Sequence, residues 1–131
     1  MKTPGLKLVS CKKNKGGLIR SLILLLSFQY KYCRVSGQSM IPLLKEGDIV
    51  LYKPLRTINQ KRSVFEGSIV IVIDPLNKSD LIIKRVKEKN HKGINIIGEN
   101  TNISIDSRHF GLISYEYIYG LAQEVIKNPF Q

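Results

Sequence analysis

Val35-Ser36-Gly37-Gln38-Ser39-Met40-Ile41-Pro42-Leu43-Leu44-Lys45-Glu46-Gly47-Asp48-Ile49-Val50 reads as a strand, a turn and a second strand. Gly37, Ser39 and Pro42 are turn formers, and the β-branched pair Ile49-Val50 resumes extended structure after Gly47-Asp48. The same grammar continues outward from Tyr32, where short runs rich in Ile, Val and Tyr alternate with Gly, Pro, Asn and Asp at the spacing of all-β domains. It predicts strands over Tyr32 to Ser36, Asp48 to Tyr52, Ser68 to Ile73, Leu81 to Glu88, Gly93 to Ile97 and Ile118 to Ile126. Pro54, Gly67, Asp74-Pro75, Asn90 with Gly93, and Gly111 punctuate them. No internal repeat is present. The expected fold is all-β, a compact, coiled, β-barrel-like domain over residues 32–127.

At 131 residues the chain suits one domain. Apolar content of 43% and charged content of 24% are those of an ordinary globular protein, which excludes a disordered, collagenous or disulfide-scaffold chain. The net charge of +11 is uneven: the first 34 residues carry eight Lys or Arg and no acid, leaving +3 for the remainder. Residues 1–17 read as a loosely ordered basic arm. Residues 18–28, Leu18 to Phe28, form an apolar run of 11 residues interrupted by Arg20. A bilayer span needs about 20, so this run is expected to be a short helix that is docked or peripheral, or else the relic of an anchor. Near an anionic membrane each lysine of the arm would contribute about 1 kcal/mol, making residues 1–28 the candidate for peripheral membrane contact. The arm lacks the interleaved aromatics that stack on bases, and no nucleic-acid partner is expected. Cys11 and Cys33 have neither CxxC spacing nor a neighbouring histidine pair, and His91 and His109 sit in polar, turn-like stretches. No metal and no cofactor are expected.

Two segments carry chemistry. In the first, Gly37 frees the backbone ahead of Ser39, so the turn can expose the serine hydroxyl and aim an amide at a developing oxyanion. A serine in such a turn is more often only a turn residue. The second is Leu81-Ile82-Ile83-Lys84-Arg85-Val86, where a period of two puts Lys84 on the face of Ile82 and Val86. An ordinary lysine, with a pKa of about 10.4, is no base near neutrality. Desolvation among aliphatic groups lowers that value and lets the amine take a serine proton, although a strand lysine more often keeps its amine in water.

With a third segment, Gly98-Glu99-Asn100-Thr101-Asn102-Ile103-Ser104-Ile105-Asp106-Ser107-Arg108-His109-Phe110-Gly111, the order and spacing resemble the type I signal peptidase family. Gly37 to Leu44 with Gly47-Asp48 is similar to its Gly-x-Ser-Met-x-Pro-Thr-Leu box, and Gly67-Ser68-Ile69-Val70 to its Gly-Asp-Ile-Val box. Lys84-Arg85-Val86 corresponds to the Lys-Arg-Val box, and Gly98 to Gly111 to the Gly-Asp-Asn box ending in Ser-x-Asp-Ser-Arg-x-x-Gly. The four boxes cover residues 35–111. The resemblance implies Ser39 as nucleophile, Lys84 as general base, Ser104 near the amine to orient it, and Asp106 with Arg108 as a supporting ion pair on one side of an extended segment. It implies that Met40, Leu44, Ile82 and Ile83 border a pocket for a small side chain ahead of the scissile bond; the same four also fit a core. Leu43 and Glu99 replace the usual threonine and aspartate. Gly37 stands where some members have a serine assisting the oxyanion hole, leaving more of that work to the Ser39 amide.

A self-cleaving SOS repressor shares the Gly-x-Ser-Met turn and the Lys-Arg strand, but Pro42 and Asp106-Ser107-Arg108 favour the peptidase. A repressor also needs a helix-turn-helix module, which 38 residues with one apolar run do not supply. From a different class, a basic nucleic-acid or lipid-binding β-module would leave Ser39 and Lys84 as bystanders. Among the peptidases, small members with few membrane spans resemble this chain best. These are the nickel-type superoxide dismutase maturation proteases, implying a precursor protein bound as an extended N-terminal segment and a cytoplasmic or membrane-peripheral location. The alternative is a membrane-anchored leader peptidase cleaving secretory preproteins, with residues 18–28 as anchor.

Overall fold

The computed structural model describes residues 29–130 and, ahead of them, Ile19. The readings of residues 1–17 as an arm and 18–28 as a helix or anchor relic fall outside the described residues, Ile19 apart. Seven strands make one antiparallel sheet: β1 (Lys31–Arg34), β2 (Ile49–Pro54), β3 (Ile69–Ile73), β4 (Leu81–Lys89), β5 (Gly93–Ile97), β6 (Ile113–Ser114) and β7 (Ile118–Ile126). Their order across the sheet is β1-β2-β7-β3-β4-β5-β6, so the last strand in sequence sits between the second and third. The sheet curls into a half-barrel, and the fold is all-β as the alternation predicted.

β3 reads Ile-Val-Ile-Val-Ile without a polar residue because both of its faces are covered. Val70 and Val72 face a core shared with Val86, Ile94, Ile96 and Ile118. Ile69 faces a second core with Val35, Met40, Leu44, Val50 and Ala122. Bulges interrupt the ladders between Leu51 and Tyr52, Ile71 and Val72, and Val86 and Glu88, where an extra residue increases the local twist and bends the sheet.

All six expected strands are present, with ends moved by two residues or fewer. Two short helices and β6 were not expected. The first helix, α1 (Ile58–Arg62), is opened by Thr57, whose side chain accepts from the Gln60 N–H while Gln60 reaches back to the Thr57 N–H. That Thr-x-x-Gln capping box is written in the sequence, but five residues are too few to show a helical period. The second, α2 (Ser107–Phe110), changes the reading of the third chemical segment. Arg108 lies in a helical turn with Asp106 as its N-cap, not in an extended run alternating from Ser104. Asp106 prefers the cap because its carboxylate accepts the Arg108 N–H at 3.1 Å. No helix among the described residues is long and apolar enough to cross a membrane.

Candidate functional site

The turn after β1 and the first half of β4 face each other. Val35 is pinned on both sides of its peptide, donating to Asp48 C=O at 2.7 Å and accepting from Gly47 N–H at 2.9 Å. The chain then doubles back through Gly37, at φ 84°, and a cis Ile41–Pro42 bond. Ile41 N–H to Gln38 C=O at 3.2 Å and Leu44 N–H to Met40 C=O at 2.8 Å close the turn. Met40 and Leu44 are buried beneath it, leaving Ser39 half-buried above.

Opposite, β4 pairs with β3 along Leu81 to Arg85, opposing Lys84 to Val70. Alternation turns Lys84 inward with Val86, and only 4% of Lys84 is exposed. Its Nζ lies 2.6 Å from Ser39 Oγ. Two residues 45 positions apart, expected to meet, do so at hydrogen-bond distance. Burial holds the Lys84 pKa below the ordinary lysine value, and the charges of Asp106 and Asp74 oppose that by favouring the ammonium.

The loop from Gly98 to α2 closes the third side. Its contact with the serine turn runs through Asn100, whose N–H donates to Ser39 C=O at 2.8 Å and whose Nδ2 donates to Gln38 C=O at 3.3 Å. Asn100 C=O in turn accepts the Ser104 N–H at 3.0 Å. Ser104 is buried and gives its hydroxyl to Asp106 Oδ2 at 2.8 Å, while the Lys84 amine is hydrogen-bonded to Ser39. Asp106, fully buried, also accepts Gly98 N–H at 3.0 Å and Arg108 Nε at 2.9 Å. Burial acts to raise the Asp106 pKa, but the bonds from Arg108, Gly98 and Ser104 outweigh it and hold the carboxylate well below its usual range. Arg108 reaches back to Thr101 C=O at 2.8 Å, which ties the loop onto its helix.

Gly98 is the tightest point of the assembly. A β-carbon there would stand 2.2 Å from Ser104 Oγ and 2.7 Å from Ser39 C=O, so only hydrogen fits between the two segments. Beside it Glu99 pairs with Arg85 Nε, and Arg85 Nη1 donates to Gly67 C=O at 2.9 Å. This joins three of the four sequence boxes around β4.

A cleft of about 220 Å³ runs between the turn and β4. Arg34 to Gly37 flank one side, Leu81 to Lys84 the other, and Cys33, Met40 and Ile71 line it as well. Of the four residues expected at a substrate pocket, Met40, Ile82 and Ile83 line this cleft, while Leu44 lies in the core at 1% exposure. Gly37 N–H is taken by Glu46 Oε1 at 3.2 Å. The thiol of Cys33 is pushed up to about 11 by burial, which leaves it a protonated lining group. His91 and His109 are exposed.

The roles of Asn100, Asp74 and Glu46 were not read from the sequence. Asn100 stands inside a recognised box, but backbone bonds have no side-chain signature. Asp74 looked like half of an Asp-Pro turn.

A half-barrel of antiparallel strands thus sets the Ser39 hydroxyl against the buried Lys84 amine, and a family match makes the fold that of a serine peptidase. A family model described as Peptidase S24-like matches residues 18–112, most of the chain, and the protein belongs to that family. The match supports the superfamily to which S24-like and signal peptidases both belong, and is to a family other than the type I signal peptidases that the sequence boxes resembled. The curated proteins contain no match to the chain.

Proposed function

We propose that the protein is a serine endopeptidase with a Ser39–Lys84 dyad that removes an N-terminal extension from a precursor protein, on the plan of the type I signal peptidases. The observation that carries this reading is the 2.6 Å approach of a buried amine to a serine hydroxyl at the edge of an open cleft.

In this reading the neutral Lys84 amine accepts the Ser39 proton as Oγ attacks the scissile carbonyl. The Ser39 N–H, presented by the turn, donates to the oxyanion, because the Gly37 amide already serves Glu46. Lys84 then returns the proton to the leaving amine, and the acyl-enzyme is hydrolysed by water with Lys84 again as base. Asp106 and Ser104 act on the dyad at one remove: together they hold the loop against the Ser39 carbonyl, and the Asp106 charge, with that of Asp74, favours the ammonium form of the amine.

The substrate enters as an extended segment. Pairing of β4 with β5 begins only at Arg85, so residues 81–84 have no strand on that side among the described residues, and this edge faces the serine across the cleft. Met40, Ile82 and Ile83 border the site of the side chain ahead of the scissile bond. The substrate favoured is a nickel superoxide dismutase precursor, with the peptidase domain over residues 32–127, residues 1–28 making peripheral membrane contact, and a cytoplasmic or membrane-peripheral location.

The test is incubation of the purified protein with a nickel superoxide dismutase precursor and, separately, with a secretory preprotein, followed by sequencing of new N-termini. Cleavage of the first that disappears in Ser39→Ala and Lys84→Met supports the reading. Cleavage of the second alone moves the protein to the leader peptidases, and undiminished cleavage in either variant removes the dyad.

A further inference from the structure

We propose that Lys127 is a positioning residue for the nucleophile turn, a strap from the end of β7 that fixes the backbone carrying Ser39. The role rests on the reading of Ser39 as nucleophile. It lies beyond residues 18–112, the part of the chain that the family model covers.

The β2–β7 ladder ends at the pair Ile49 and Ile126, so the next residue of each chain, Asp48 backward and Lys127 forward, leaves the sheet at the same place. Asp48 is fully buried, and a buried carboxylate must be paired and hydrogen-bonded. Its donors are Lys45 N–H at 2.9 Å, Asn128 N–H at 2.9 Å and Lys127 Nζ at 3.0 Å. Two of the three come from the tail. The Lys127 ammonium makes a second bond, to Leu43 C=O at 2.7 Å. The tail also packs directly on the turn, since a β-carbon on Gly47 would stand 2.3 Å from Asn128 Nδ2.

Leu43 precedes Leu44, whose N–H closes the turn on Met40 C=O, and Met40 adjoins Ser39. One ammonium therefore ties together two points of the segment that follows Ser39: Leu43, where the turn closes, and Asp48, where the chain enters β2. The Asn100 bond fixes the Ser39 carbonyl from the opposite side. With both in place the turn is clamped between the loop and the tail, and Ser39 Oγ is held against Lys84. An arginine at position 127 keeps donors enough for both bonds; a methionine keeps the stem and loses both.

The test uses the full chain. Lys127→Met strands a buried carboxylate and costs stability on that account alone, so Asp48→Asn/Lys127→Met is made beside it, with a neutral side chain at both positions. Two measurements are taken at a temperature where all variants are folded by circular dichroism: cleavage of an internally quenched peptide with alanine ahead of the scissile bond, and hydrogen exchange at the Leu44 amide. The double variant is expected to lose kcat by about tenfold or more, as sub-ångström misplacement of a nucleophile does. KM stays within about twofold, the acidic limb of the pH profile is unmoved, and Leu44 exchanges faster relative to β3 and β4. Lys127→Arg is expected to restore both readouts. Wild-type kcat together with unchanged Leu44 exchange in the double variant overturns the proposal, and so does a lowered Tm with neither readout altered. If the peptide is not cleaved, or Ser39→Ala cleaves it as the wild type does, the peptidase reading fails, and Leu44 exchange still decides whether the strap holds the turn.

Discussion

Gly98→Ala places a single methyl group at the junction of the site. To reach an ordinary 3.4 Å contact, Ser104 Oγ must retreat by about 1.2 Å from its 2.2 Å position and the Ser39 carbonyl by about 0.7 Å from 2.7 Å. Neither neighbour is the end of a flexible chain. The carbonyl is backbone bonded to Asn100, and Ser104 is buried with its hydroxyl on Asp106. Overpacking of this kind costs about 1–3 kcal/mol of stability. A catalytic loss comes on top of this, because adding about 0.7 Å to the 2.6 Å between Lys84 Nζ and Ser39 Oγ carries the pair to the limit of hydrogen bonding. Misplacement of about 1 Å lowers kcat by about 100-fold, or about 2.7 kcal/mol in barrier height. The assay is peptide cleavage with kcat and KM resolved, beside thermal denaturation. Gly111→Ala is the control: its β-carbon meets nothing within 4 Å, but φ 83° with ψ −162° is backbone that only glycine adopts readily, so it loses about 1–3 kcal/mol of stability with kcat unchanged. A folded Gly98→Ala protein with wild-type kcat would refute the reasoning, as would an equal loss in Gly111→Ala.

Lys84→Arg abolishes cleavage as completely as Lys84→Met, because guanidinium does not release its proton at accessible pH; measurable turnover by the arginine variant counts against the dyad. Activity rises with pH as the Lys84 ammonium deprotonates, at a midpoint below the ordinary lysine value, since burial lowers its pKa. Asp106→Asn removes an anion that favours the ammonium, so in whatever activity remains the acidic limb moves to lower pH; movement to higher pH contradicts the electrostatic assignment. The same shift appears in stability. A lysine whose folded pKa lies below its unfolded one costs stability while it is charged, and that cost is relieved as pH rises from the folded pKa towards the unfolded pKa, so Lys84→Met is more stable than wild type at neutral pH and the gap closes with increasing pH in denaturation curves. Ile96→Ala, at 1% exposure between β4 and β6, loses about 2–5 kcal/mol by urea denaturation.

Five of the six longer strands were legible because each buries one or both faces, Ile69 to Ile73 as an unbroken apolar run and Ile118 to Ile126 by alternation, whereas β1 is exposed apart from the half-buried Cys33 and was read from the turn that follows it. α1, α2 and β6 are shorter than any period and owe their place to neighbours. α1 has its capping box, α2 has Asp106, and β6 ends the sheet by pairing Ile113 with Ile94 of β5. The site divides in the same way. Gly37, Ser39 and Lys84 stood out by residue type and setting, and Ser104, Asp106 and Arg108 through the family resemblance alone, whereas Asn100 acts on the serine turn chiefly through its peptide.

By itself the sequence determined which residues are turn formers, which faces of the strands are apolar, and that a lysine shares such a face with Ile82 and Val86, because these follow from side-chain chemistry and local period alone. Only the tertiary structure decided that Lys84 Nζ meets Ser39 Oγ, that Ser104 turns its hydroxyl to Asp106, and that Lys127 bridges Leu43 and Asp48. Those contacts join residues brought together by the order of strands across the sheet and by the loops between them. Neither the order nor the loop path is encoded in any local pattern; both are settled by which packing covers the most apolar surface while leaving every buried charge with a partner.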